Sequence, residues 1–375
     1  MPAHWYYNPQ QLRQGVGIIR GYMDAPRYHA GNTLMQSQWE GNKHGVRDLV
    51  DKVMLFGKTS AWQQPHRHFH DGMKAGENTL NARCALLLLQ TLVTDQGQYS
   101  KQHYLRNYVA FHKTPHSHND SYAEGHHRQF MHKLVTGRCS NTTLDQCAGD
   151  QNHDTSSIGA FVTLPPVVFA LAAQPNATLF SVAVGAREHV RTTHRSLLLG
   201  LSAEIFIKLL LDITLNTKPL RQLIQEAGHY FGYDIRAWYN MGYSDLDVVH
   251  RVMNPACYIH DSFPVVLYLA YKSVTIVCAH QRIDCALLLS LWTLSVYLSV
   301  CFVCLRLPSR YADRPLEEAL LAQANVGGEC CHRGSALGAL LGAAKGMSGI
   351  PRCVMAFICL FLNVKCAMRK HCRSD

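Results

Sequence analysis

Apolar residues along this chain recur mostly at three- and four-residue spacing, the period of amphipathic helices. Residues 78–135 predict two helical segments broken around Asp95-Gln96-Gly97. In the first, Leu80, Cys84, Leu87 and Leu88 share an apolar face and Thr91 takes its next position. Thr114 to His127 is polar and aromatic without a period, which predicts a loop ending at a helix start. Asp154-Thr155-Ser156-Ser157 offers caps for a helix through Ile158, Phe161 and Leu164, which Pro165-Pro166 interrupts or restarts. Helical patterning returns over 182–237, and Asp261-Ser262-Phe263-Pro264 predicts the capped start of a helix over 265–272. Residues 15–75 instead carry frequent Gly, Pro and Asn, with 48–56 as the one compact apolar run, and predict loops and short extended pieces. The pattern thus predicts several separate helical segments after a loop-rich start.

The last patterned stretch, Ala324 to Gly346, holds a glycine turn, a polar cluster and a helix of small residues. Gly327-Gly328 suits a turn needing positive φ, and Glu329 falls where the helix begins, near the positive end of its dipole. Gly334, Gly338, Gly342 and Gly346 recur along one face and predict a close approach by a neighbouring backbone. Gly76-Glu77-Asn78-Thr79 repeats this grammar before the helix at Leu80. Ordinary capping accounts for each start singly. Together, two helix starts with free N–H groups and a carboxylate each can form one pocket for a cation or a phosphate.

Other polar groups are candidates on weaker grounds. His66, His68 and His70 alternate, which on an extended strand places three imidazoles on one face, a zinc or copper grouping or a solvated polar edge. Asn119, Asp120 and Glu124 are the hydrogen-bonding residues of the loop before its helix start.

Six segments in order resemble the ADP-ribosylglycohydrolase superfamily, and within it the branch of the J-type crystallins. They are His4 to Gln14, His70 to Arg83, Thr114 to Phe130, Asp154 to Pro166, Ala256 to Lys272 and Ala324 to Gly346. The resemblance implies a single, nearly all-helical domain that hydrolyses an N- or O-glycosidic bond to ADP-ribose. In active members a Thr-Asp-Asp-Thr motif and a later Asp-x-Asp-Thr motif hold two magnesium ions. Here those places read Gly76-Glu77-Asn78-Thr79 and Glu329-Cys330-Cys331-His332, so one carboxylate remains in each. Fewer oxygen donors and added thiol and imidazole weaken a magnesium site and leave zinc as the other cofactor. By this resemblance Glu77 and Glu329 are the candidate catalytic bases, and Glu77, Asn78, Thr79, Glu329, Cys331 and His332 the candidate metal ligands. Asn119, Asp120, Glu124, Ser157, Gly159, Gly327 and Gly328 are the candidate substrate-binding residues. The expected partner is ADP-ribose or an ADP-ribosylated small molecule or protein. The alternative is a crystallin-like or ADP-ribose-binding protein without catalysis.

Composition adjusts the outline. The 375 residues, 47% of them hydrophobic, suffice for one large core. Family-like text covers 1–272 and 311–352, so 273–310 reads as an apolar insertion, such as a retained intron, and 353–375 as an unrelated tail. Residues 1–5 match a point after the family's first helix, so the chain is expected to begin inside the domain and to expose an apolar face. Cys285 to Leu305 is uncharged and long enough to span a bilayer. A single span there would split one core across a membrane, so none is expected. The net charge is +10, of which the insertion supplies +2 and the tail +3; the remainder forms no Lys or Arg run and excludes a nucleic-acid partner. Eight of the fourteen cysteines lie in the insertion and tail, and no secretory signal is visible. Reduced thiols, no disulfide framework and a cytoplasmic location are expected.

Overall fold

The computed structural model describes residues 2–31, 34, 48–150, 153–273 and 316–346. Among these no sheet forms, and extended pieces meet only in isolated bridges such as Tyr28 with Arg67 and Ser157 with Tyr258. The fold is all-α, as the resemblance implies. Helices α1 (Pro9–Gly15) and α2 (Thr59–Gln63) are short. They precede α3 (Leu80–Thr94), α4 (Lys101–Lys113) and α5 (Gly125–Val135). A 3₁₀ turn over Ile158–Val162 leads into α6 (Leu164–Ala172), followed by α7 (Leu179–Arg191) and α8 (Leu197–Thr214). Then come α9 (Leu220–Tyr230), α10 (Ile235–Asn240), α11 (Ile259–Lys272), α12 (Leu316–Asn325) and α13 (Cys330–Lys345).

Most boundaries follow local chemistry. The break after α3 falls at Gln96 and Gly97, both with positive φ. Ser100 caps α4, and Thr178 with Ser181 forms a capping box on α7. Pro165-Pro166 restarts the chain as the first turn of α6, where a missing N–H costs nothing. The start of α11 differs from expectation. The helix begins at Ile259 and carries Pro264 inside it, because Ile259 and Phe263 to Leu267 are all drawn into the core. Asp261 lies in its first turn, accepting from the Asn254 N–H and pairing with His260.

Helix α13 is the packing centre, seated against α11, α12, α8 and the Ile158–Val162 turn. Ala336, Leu337, Leu340 and Leu341 are fully buried there. Below it Phe161, Phe206 and Phe263 stack at ring distances of 4.7 to 5.9 Å. Among the described residues no backbone packs against Gly334, Gly338 or Gly342 of the α13 stripe, contrary to its spacing. The atoms facing Gly334 and Gly338 belong to side chains of α12, Gln323 Cγ and Leu320 Cδ2, and a Cβ at those glycines would meet them at 3.9 and 3.8 Å. These are ordinary contacts. Gly338→Ala is therefore expected to stabilise the chain by about 0.5 to 1 kcal/mol, by lowering the unfolded chain's entropy. A urea midpoint that falls in this variant would show a closer neighbour than these contacts allow.

Two other expectations are corrected. Cys139 and Cys147 form a disulfide, because the Leu144–Cys147 turn folds the chain back and brings their Cα atoms to 5.5 Å. His66, His68 and His70 do not share a strand face: His66 has φ +59°, the segment turns, and only His68 and His70 are buried. Among the described residues no helix is long and apolar enough to cross a membrane. Cys285 to Leu305, the rest of the insertion after Ser273, and the 353–375 tail lie outside the described residues.

Candidate functional site

Four helix starts converge on one buried polar centre. Glu329 is the N-cap of α13 and Glu124 that of α5. Ser157 caps the Ile158–Val162 turn, and Asn81 is the second residue of α3. The Gly327-Gly328 turn sets Glu329 in place. Both glycines have positive φ, and a Cβ would strike Tyr6 O at 2.6 Å or Pro255 O at 2.3 Å. Gly328 exchanges backbone hydrogen bonds with Tyr6 and Trp5, and the Glu329 N–H donates to Pro255. From one turn further along, the buried Arg333 guanidinium donates to the carbonyls of Glu329 and Gly327. The turn is thus clamped from both sides.

The Glu329 carboxylate has no solvent exposure. One oxygen lies 3.0 Å from His4 Nε2; the other accepts the His332 N–H at 3.0 Å and sits 3.1 Å from His332 Nδ1. His332 Nδ1 is also 3.7 Å from Glu124 Oε1, so the imidazole stands between two carboxylates. Glu124 accepts from Ser157 Oγ at 3.0 Å and from Asn81 Nδ2 at 2.7 Å. Gly159 makes that approach possible, since a Cβ there would lie 2.3 Å from the Glu124 oxygen. Beyond Asn81 the network continues to His127 at 2.8 Å and Tyr108 at 2.5 Å. On the other side His4 Nδ1 lies 2.6 Å from His70 Nε2, and His70 Nδ1 lies 2.7 Å from Asp120. Asp120 also accepts the Leu80 N–H at 2.8 Å, and so caps α3 in place of Thr79.

Charge within this centre is unevenly held. Burial alone would raise the Glu329 pKa, but the His332 and His4 charges outweigh it and keep the carboxylate ionised. Glu124 moves the opposite way, pushed up by burial and by the Glu329 charge despite His332. Burial opposes the charge on His332, yet Glu329 and Glu124 raise its pKa to about 10. The result is an imidazolium flanked by one firmly ionised carboxylate and one with raised proton affinity.

The structure gathers part of the expected set. Glu124, Ser157, Gly159, Asp120, Glu329 and His332 all belong to the centre or its arms. Cys331, half-buried at the second position of α13, faces His4 and His70. Glu77 instead accepts from the Lys74 N–H and from Asn119 Nδ2 in a half-exposed loop. Asn119 is further tied to Lys58 and to the Gly72 carbonyl. Asn78 and Thr79 are half-exposed beside Glu77. Among the described residues no cluster of three metal-type side chains includes Glu77. Sequence reasoning missed His4, Asn81, His126 and His194. The last two face Glu124, with donor atoms within 4.8 Å of one another. Only the closing of the fold brings them together, since His4 and Glu329 are 325 residues apart.

The sequence profile of the ADP-ribosylglycohydrolase family matches residues 22–357. The chain belongs to the ADP-ribosylglycohydrolase family. No curated protein matches it. Among solved structures it is similar to a chain of an "ADP-ribosylglycohydrolase-related protein complex", with 16% identity and a TM-score of 0.45, over 74% of this chain and 75% of that one. The family is a metal-dependent glycohydrolase family, and several His, Cys and Glu groupings here could hold a cation. A pair of magnesium ions does not fit the donors present. Both Glu329 oxygens and both Glu124 oxygens are already engaged by imidazole, amide or hydroxyl groups, and the remaining donors are imidazoles and a thiol.

Proposed function

We propose that the chain is a hydrolase of the ADP-ribosylglycohydrolase type that cleaves an N- or O-glycosidic bond to ADP-ribose on a small molecule or protein. The observation that carries this reading is the family match over residues 22–357, and the divided carboxylate pair accords with it. Glu329 is held ionised while Glu124, next to the same imidazolium, has a raised proton affinity. Environments that push two carboxyl groups apart are how glycosidases assign an acid and a charge-stabilising partner. Glu124 is the acid of this reading and Glu329 its fixed negative charge, and substrate has to displace Ser157 or Asn81 from Glu124 for the proton to reach the leaving group. This reading requires substrate to span from Glu124 to Glu77, its base for the attacking water, which Asn119 orients in the half-exposed loop before α3.

The test is release of free ADP-ribose from arginine- and serine-ADP-ribosylated peptides by the full chain. Glu124→Gln and Glu77→Gln are each expected to lower kcat by about 100-fold or more. Glu77 lies in a half-exposed loop, so its replacement leaves folding unchanged and keeps the test interpretable. Wild-type turnover that survives both changes would sink the assignment.

One observation favours a second reading, an ADP-ribose-binding or crystallin-like protein without catalysis. His332 supplies a built-in positive charge between the two carboxylates, where a cation would otherwise be needed. Calorimetric titration with ADP-ribose separates the two: tight binding with no turnover of any ADP-ribosylated peptide supports the second reading.

A further inference from the structure

Beside the carboxylate pair, two imidazoles meet head to head in an arrangement that neutral histidines do not sustain. His70 Nδ1 lies 2.7 Å from the Asp120 carboxylate, and His4 Nε2 lies 3.0 Å from that of Glu329. Carboxylates accept hydrogen bonds, so each of these ring nitrogens carries the proton of its neutral tautomer. The two remaining nitrogens, His70 Nε2 and His4 Nδ1, then present lone pairs to each other at 2.6 Å. A cation must lie between them, either a shared proton or a metal ion. The third group decides which. Cys331 Sγ lies beside them, with all three donor atoms within 4.8 Å of one another. A proton needs two donors; a thiol converging with two imidazoles is a transition-metal ligand set.

We propose that His4, His70 and Cys331 form a zinc site. The surroundings are those of a zinc centre. Each histidine ligand is oriented through its far nitrogen by a buried carboxylate, the outer-shell arrangement that fixes tautomer and ring direction. Asp120 is itself fixed by the N–H groups of Leu80 and Tyr122, and Glu329 by the His332 N–H. Seating the ion requires the two nitrogens to open from 2.6 Å to roughly 3.3 Å, the separation that bonds of about 2.0 Å subtend at a tetrahedral angle. His4 sits in the chain's first turn and Cys331 in the first turn of α13, so neither is locked inside a helix body. Cys331 is half-buried, whereas His4 and His70 are buried. The site does not depend on the glycohydrolase reading, because its test measures the metal rather than turnover.

The full chain is purified with added zinc, passed through gel filtration and analysed for metal. One zinc per chain is expected. Replacement by cobalt(II) is expected to give a near-ultraviolet thiolate-to-cobalt band that Cys331→Ser removes. In the wild-type protein, where folding is not in question, zinc is expected to slow iodoacetamide alkylation of Cys331 at least tenfold relative to chelator-treated protein, read from the Cys331 peptide. Zinc lost on gel filtration, or bound with Cys331 alkylated at the chelated rate, indicates an adventitious ion only and overturns the proposal. A cobalt band that persists in Cys331→Ser also overturns it.

Discussion

Glu329→Gln is expected to destabilise the chain by about 3 to 5 kcal/mol, the cost of leaving a buried charge without its partner. The carboxylate is fully buried and holds the His4 ring, the His332 ring and the His332 N–H in the first turn of α13 at once. Glutamine keeps the shape but removes the charge and turns one acceptor into a donor that faces an imidazole. His332, whose pKa of about 10 depends chiefly on Glu329 and Glu124, then gives up its proton or stays charged against Glu124 alone. Urea denaturation measures the loss. A double-mutant cycle with His332→Gln isolates the pair, and the double variant is expected to recover part of the stability because no unpaired charge remains. A Glu329→Gln variant as stable as wild type would show that the ion pair contributes nothing to the fold.

The second large effect is acid lability. His112, His189 and His194 are buried, and burial first of all lowers each pKa from 6.5 to about 3. His112 also feels His118, and His194 feels His332 and His189. Above pH 6.5 folded and unfolded chains both carry these rings neutral, and pH has no hold on stability through them. Below 6.5 the unfolded chain takes up protons that the folded chain refuses, so stability falls with pH until the folded rings themselves titrate near pH 3. Each ring contributes a slope of up to about 1.4 kcal/mol per pH unit in that window, so three together approach about 4 kcal/mol per unit. From pH 8 to 7 the melting temperature is expected to rise slightly, because His332, with a pKa of about 10, is charged there only in the folded chain, and it is expected to fall steeply between pH 6 and 5. His189→Gln, which can keep the hydrogen bonds to Tyr99 and Thr163, is expected to flatten the fall. A melting temperature unchanged from pH 7 to 5 would contradict the buried neutral state of these rings.

The sequence by itself determined the helical architecture and the chemistry at single helix starts. The break at Asp95 to Gly97, the loop before Glu124, the restart at Pro165 and the positive-φ turn at Gly327-Gly328 are all local effects of backbone and side-chain preference, and local effects are written in neighbouring residues. So is the placement of Glu329 as an N-cap. Spacing misled where the outcome depended on what lies opposite. The α13 glycines face side chains of α12 rather than a backbone, and the alternating histidines turn instead of running straight. Cys139 and Cys147 meet only because a turn folds one back on the other.

Tertiary structure alone decided the membership of the polar centre. His4 reaches Glu329 across 325 residues, His70 reaches His4 across 66, and Asn81 reaches Glu124 across 43. No period or motif encodes such distances. They are set when α3, α5 and α13 pack with their N-terminal ends together, and buried polar groups must then find partners in whatever that packing brings near. The same packing leaves Glu77 with Lys74 and Asn119 in a half-exposed loop and gives its expected place beside Glu329 to His332 and Glu124.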